Sequence, residues 1–385
     1  MLNFIKSKVI LKNIFNNIQK TKKLKLLNYN KCLLNKLNIE IKDFKNGYLI
    51  KEINGKFNIN IKDDEIEKLE LAKATLRNEF LKYITKIEFK NLNEINISYN
   101  YISEIRPLEE FKSSKLEILN LNFNRISNIN IFEKMSFNNL KVLLLSNNSI
   151  LKDINILEKV NFIKLEKLNL SGNSIKDINI LDKVNFKELR ELDLSYNYIK
   201  NLEVLRNVDF INLEKLDLKS NDINIIDVFE FVHFPQLKEL NLNYNNISGI
   251  KVFERVNLVK LELLDLGKND ITNIEALEFA KFPNLKKLYL NENDISNINI
   301  LEKVNFKNLE ILNLNKNGIE NIKVFEHTYF HGLKELYLNY NYINDIKILL
   351  VAFFDNLEIL DIFHNYFDDK DSIKYLKSRI KFVNC

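Results

Sequence analysis

Four histidines, His233, His327, His331 and His364, and two cysteines, Cys32 and Cys385, are the residues best suited to chemistry. His327 and His331 stand four apart in EHTYFH. On a helix that spacing sets two imidazoles on one face, where with Glu326 they could clip a metal ion. The pair lies in a segment whose exposed positions vary freely, so no metal site is expected there. The cysteines sit at opposite ends of the chain, too few for a disulfide framework, which points to a reducing compartment. The seven glycines are scattered and form no phosphate-cradling loop. Candidate Ser/His/Asp and Cys/His sets all fall in variable positions. The expectation is a chain with no catalytic residues, no cofactor and no small-molecule substrate.

Such side chains can only be placed by the elements that carry them, and here those elements repeat. LEKLNLSGNSIKDINILDKVNFKE (165–188) is followed by LRELDLSYNYIKNLEVLRNVDFIN and then LEKLDLKSNDINIIDVFEFVHFPQ. One asparagine recurs at Asn100, Asn124, Asn148, Asn173, Asn197, Asn221, Asn245, Asn269, Asn293, Asn317, Asn341 and Asn365. Ten of the eleven spacings are 24 and one, between Asn148 and Asn173, is 25. Leu151 or a neighbour is therefore an insertion, expected to bulge near Ile150 to Lys152 and leave strand register intact. Within a unit, Leu168 and Leu170 alternate with Asn169, a period of two that marks a strand. Ile175, Ile178, Leu181, Val184 and Phe186 then recur at threes and a two, which fits a turn and a short helical or 3-10 segment. Each unit is one coil of a solenoid. A lone coil cannot offset the entropy of ordering it, so stability is collective. The asparagine amide both donates and accepts, and a column of them can form a ladder between coils.

The L-x-x-L-x-L-x-x-N-x-I units resemble leucine-rich repeats over roughly residues 86–385, in a form similar to the cytosolic N-x-I-x-x-I subtype. Isoleucine closes the motif at Ile102, Ile126 and Ile175 through Ile343, and Phe367 stands there in the last unit. The resemblance implies an α/β fold: a right-handed, curved solenoid with a parallel sheet on its concave side and short helical segments on its convex side. It also implies a protein-binding scaffold.

Four regions follow. Residues 1–45 carry eleven lysines against Glu40 and Asp43 and form a basic helical segment. The apolar faces in residues 7–37 resemble an F-box, the helical module that docks on the adaptor of a cullin-type ubiquitin ligase. The usual early Leu-Pro is absent, and Asn28-Tyr29-Asn30-Lys31 replaces the usual Val-Cys-Lys-x-Trp. A plain helical cap and a basic arm for anionic lipid or nucleic acid are the alternatives; nucleic acid is disfavoured because few aromatics, Phe15 and Tyr29, interleave the lysines of residues 6–36. Residues 46–85 read as a cap: YLIKEI-NG-KFNINI (48–61) predicts a hairpin turning at Asn54-Gly55, and residues 63–84 a helix. Twelve repeats fill 86–367, and 368–385 cap them with a helix started by Asp369 or Asp371 and bearing Ile373, Leu376 and Ile380. Lys6, Lys8 and Lys12 break every early apolar run and no run of 18 apolar residues occurs, so a cytoplasmic chain, with a nuclear one possible, and no membrane span is expected.

A protein or peptide partner would lie on the concave face and the strand-end rim. The column between the strand leucines is mostly Asn or Asp, with Leu144, Tyr289 and Tyr337 as departures. Ile118 and Val142 join Leu144 in an apolar patch. Beside the ladder, Tyr340, Tyr342, His364 and Tyr366, with Phe363 and Tyr337, form the richest rim, because tyrosine gives contact area at small entropic cost. Tyr99, Tyr101, Tyr196, Tyr198 and Tyr244 mark earlier rim positions.

Overall fold

The structure, a computed structural model, describes residues 41–111, 114–135, 137–148 and 151–385. The F-box-like reading of residues 7–37 lies outside them. Among the described residues fourteen short strands pair in sequence order into one parallel sheet, from β1 (Lys68–Glu70) through β2 (Glu94–Asn96) to β14 (Phe382–Asn384). Each is three residues long, and from β1 to β13 the central residue is buried, as in β5 (Lys167–Asn169) and β6 (Glu191–Asp193). Register steps by one repeat: Leu168 lies opposite Leu192, which lies opposite Leu216. Each return from β2 to β13 carries a 3-10 turn such as Asn179–Asp182. Three residues per turn keep Ile178 and Leu181 over the core, which matches their spacing of three. Leucines, isoleucines and a column of phenylalanines including Phe162, Phe186 and Phe210 are almost wholly excluded from solvent.

The asparagine ladder is fully formed. Asn221 Nδ2 donates to the carbonyls of Leu218 in its own coil (3.0 Å) and Leu194 in the coil before (3.1 Å), while its Oδ1 accepts from Ile199 N–H (3.0 Å). Asparagine and aspartate do three further jobs that recur along the array. At the strand end, Asn169 Oδ1 accepts from Ser171 N–H (2.9 Å). Before the 3-10 turn, Asp177 Oδ1 accepts from Asn179 N–H (2.8 Å). In the closing turn, Asn212 Nδ2 donates to the Lys187 carbonyl of the preceding coil (2.8 Å). The high Asn content therefore satisfies backbone groups that a tightly wound chain would otherwise bury unpaired.

The 25-residue unit keeps its register, with Leu143 opposite Leu168 and Leu145 N–H donating to the Asn169 carbonyl (2.9 Å). Leu151 is not the bulge. It is buried in the isoleucine place, its carbonyl accepting from Ser174 N–H as that of Ile175 accepts from Tyr198 N–H. The additional residue thus falls between Asn148 and Leu151, outside the described residues. The ladder adapts there: Asn173 Oδ1 accepts from Asn148 N–H (3.0 Å) instead of from the isoleucine position.

Two expectations for the N-terminal cap are corrected. The Asn54-Gly55 hairpin does not form; α1 (Ile41–Phe57) runs through it. Ile50 and Ile53, three apart, bury on one helical face, and Asn54 Nδ2 and Oδ1 instead bond the Ile61 carbonyl and N–H, both at 2.8 Å. The helix expected over 63–84 is only α2 (Asn78–Ile84), because β1 and a further coil precede it. In that coil Leu69, Leu71 and Leu76 take the repeat's apolar places and Ala74 takes the ladder place. Alanine suffices because each ladder amide closes the coil before it: Asn100 already bonds the Leu71 carbonyl (3.0 Å) and Leu76 N–H (2.8 Å). At the other end α3 (Lys370–Arg379) is capped by Asp369, which accepts from Ser372 N–H (3.0 Å), and it buries Leu376 with Ile373 and Ile380 partly covered. Beyond it, β14 adds a strand that the repeat pattern did not announce.

Candidate functional site

Every strand exit makes the same turn. The residue before each ladder position, from Lys73 to His364, is left-handed, with φ between 51° and 63°, and only Gly172 among them is glycine. This conformation is uncommon for residues with a Cβ. It projects Tyr99, Phe123, Tyr196, Tyr244, Tyr340 and His364 from the rim. Tyr99 and Phe123 stack with centroids 4.1 Å apart. Phe123 was not singled out from the sequence, although it occupies the same column as Tyr99.

On the last two coils, Tyr340 stacks on His364 at 4.4 Å and meets Phe363 edge-on at 6.2 Å. On the other side of the ladder, Tyr342 and Tyr366 stack at 5.8 Å, and Tyr366 is 70% exposed. Five of the expected rim residues thus form two exposed groups, Tyr340 with Phe363 and His364 and, separately, Tyr342 with Tyr366. Tyr337 is not among them. It lies half-buried on the concave face, where its hydroxyl donates to Glu335 Oε2 (2.8 Å). Burial first, and then that bond, push the Tyr337 hydroxyl up to about 12. Tyr289 stands on the same concave line two coils earlier, raised mainly by burial. Ile118 lies opposite Val142, and Asn120 opposite Leu144, in β3 (Ile118–Asn120) and β4 (Val142–Leu144). The three apolar side chains form one half-buried patch.

Elsewhere the concave surface is electrostatically self-paired. The flank of the strands alternates in sign along Glu117, Lys141, Glu166, Arg190, Glu214, Lys238, Glu262 and Lys286. Glu214 bonds both Arg190 (2.8 Å) and Lys238 (2.6 Å), and these cations hold its carboxyl below the usual range. The central line differs: it holds Asp193, Asp217, Asp265 and Asp361 and no lysine or arginine. Burial raises the carboxyls of Asp217 and Asp265.

The histidine pair does not form a helical clip. The 3-10 turn Lys323–Glu326 ends before His327, and His331 is drawn to Asp355 (3.0 Å). Among the described residues no group of three or more His, Cys, Asp or Glu side chains could hold a metal ion. Among them, too, no helix is long and apolar enough to cross a membrane.

A parallel one-strand-per-coil sheet closed by an asparagine ladder defines a class of protein, and comparison with known families agrees. Models described as leucine rich repeat match residues 187–247, 211–263 and 235–295; a two-copy model matches 163–207 and a further one 112–129. The chain is a leucine-rich repeat protein. No curated protein sequence matches it. Among solved structures it is similar to a leucine-rich repeat protein of Leptospira interrogans (22% identity, TM-score 0.68, 88% of this chain and 86% of that one). It is also similar to an internalin of Listeria monocytogenes (21% identity, TM-score 0.57, 89% and 96%). A third is the ectodomain of a plant membrane receptor kinase from Arabidopsis thaliana, solved in complex with Casparian strip integrity factor 2 (20% identity, TM-score 0.52, 79% of this chain and 42% of that one). At such identities the likeness speaks to the fold alone.

Proposed function

We propose that this protein is a non-catalytic scaffold that binds a protein or peptide on its concave face and strand-end rim. The observation that carries the reading is the accessible aromatic rim of the last two coils, Tyr340, Tyr342, Phe363, His364 and Tyr366. Large aromatic side chains left exposed and already held in place by stacking lose little freedom on binding, which is the character of interface hot spots. The plant receptor named above, of the same fold, was solved in complex with Casparian strip integrity factor 2. The patch of Ile118, Val142 and Leu144 offers a second contact toward the N-terminal end.

Affinity capture with the full chain and with a Tyr340→Ala, Tyr366→Ala variant tests this. Partner affinity should fall at least tenfold while the thermal midpoint moves by no more than a few degrees. Unchanged affinity, or collapse of the fold, refutes the rim as the site. The alternative is a substrate receptor whose residues 7–37 dock on a cullin-ligase adaptor; it shares this surface and rests on the helical resemblance of those residues. It predicts adaptor capture by the full chain and none by residues 46–385.

A further inference from the structure

The concave line changes character between β10 (Lys287–Tyr289) and β12 (Glu335–Tyr337). Tyr289 and Tyr337 flank Asn313 of β11 (Ile311–Asn313), whose strand lies opposite both. Strands in a sheet are about 4.8 Å apart, so the two tyrosine positions are roughly 10 Å apart with a short side chain between them. Among the described residues these two rings stack on no other ring. A group lodged over Asn313 is then about 5 Å from either tyrosine, inside the ~6 Å range over which an aromatic face attracts a cation.

The charged side chains on the strand positions around this slot include three carboxylates. Glu335 lies beside Tyr337, with Asp361 opposite that tyrosine on the next strand and Asp265 opposite Tyr289 on the previous one. Asn315 Oδ1 and Asn339 Oδ1 are buried without any hydrogen-bond partner. Asn339 is only 9% exposed. Side chains of this column turn across the concave face: four coils earlier Asn243 Nδ2 reaches Asp265 Oδ1 (3.0 Å). The corresponding carboxylate for Asn339, Asp361, is occupied instead by Asn384 (3.0 Å). Buried acceptors left unmatched call for a donor. Among the described residues the nearby cations are mostly committed, Lys286 to Glu262 and Lys334 to Glu310, both at 2.8 Å, while Lys287 beside Tyr289 and Lys219, which acts on Asp265, carry positive charge near the acceptors.

Resting on the binding role proposed above, we propose that the slot between Tyr289 and Tyr337 receives a cationic side chain of the bound polypeptide, an arginine in preference to a lysine. A planar guanidinium can lie against a ring while its N–H groups bond several acceptors at once, which a compact ammonium does less well. The Tyr337 hydroxyl donates to Glu335, so its ring is electron-rich and its oxygen adds no competing positive charge. An anion is disfavoured, since it would meet the carboxylates of Glu335, Asp361 and Asp265.

The test is selection of a displayed random peptide library on the full-length protein. Selected peptides should be enriched in arginine. Changing that arginine to citrulline, a near-isostere without the charge, should weaken binding at least tenfold, and Tyr289→Leu with Tyr337→Leu should do the same. The citrulline arm leaves the protein untouched and stands even if the double variant folds poorly. Binders that need Tyr340 and Tyr366 but show no basic enrichment, or tolerate citrulline, overturn this inference and leave the scaffold reading in place. No binders, or binders indifferent to both sets of tyrosines, overturn both.

Discussion

Replacing Asn221 with leucine removes a side chain that serves three buried backbone groups: the carbonyls of Leu194 and Leu218 and the N–H of Ile199. Asn221 is 7% exposed in the middle of the array, so water has little access to those groups. Each stranded group costs about 1–3 kcal/mol, and a rigid site would therefore lose roughly 3–9 kcal/mol. Leucine returns about 1–2 kcal/mol by burying more apolar surface, and relaxation of the coil relieves part of the rest. The net expectation is a loss of about 2–5 kcal/mol, a large share of the stability of an ordinary domain. Urea unfolding followed by circular dichroism measures it. Amide exchange gives the local signature, because Ile199 N–H should lose protection more than its neighbours. Asn365→Leu is the control: that residue sits at the array's end, partly open to water, and should lose much less. An unchanged midpoint for Asn221→Leu would refute the ladder as a source of stability.

Three further outcomes are expected. Ser220 is left-handed at φ 54°, so Ser220→Val should destabilise by about 1–2 kcal/mol while Ser220→Gly is neutral or stabilising, as read from urea midpoints. Asp265 has a carboxyl raised by burial. Its folded form therefore holds its proton more tightly than the unfolded chain, and its contribution to stability is lost as pH rises through the folded value. Asp265→Asn keeps the bonds from Gly267 N–H and Asn243 Nδ2 and should raise the midpoint at pH 7, the gain vanishing toward pH 4; equal gains at both values would show the reasoning wrong. Glu214→Lys places three cations in a row with Arg190 and Lys238 and should lower the thermal midpoint, the loss shrinking at 1 M salt, where the screening length is about 3 Å.

The repeat alone determined the coil. Residues such as Leu168, Leu170, Ile175, Ile178 and Phe186 recur in a period that admits only one side facing inward, so strand, turn and core were legible without coordinates. The ladder was legible for the same reason, because a buried turn needs a side chain that donates and accepts. Rim stacking of Tyr342 on Tyr366 and Tyr340 on His364 followed from counting columns. What local pattern could not reveal lay where a contact from elsewhere in the chain overrode it. Asn54-Gly55 favours a hairpin in isolation, yet burial of Ile50 and Ile53 against the first coil makes the same residues helical. Ala74 hides that coil from any search for asparagine, because the amide that closes it is supplied by Asn100 from the next one. The left-handed rim and the unmatched acceptors of Asn315 and Asn339 likewise belong to no residue's own preference. They arise when neighbouring coils fix the backbone and take up, or leave open, the partners each side chain would use.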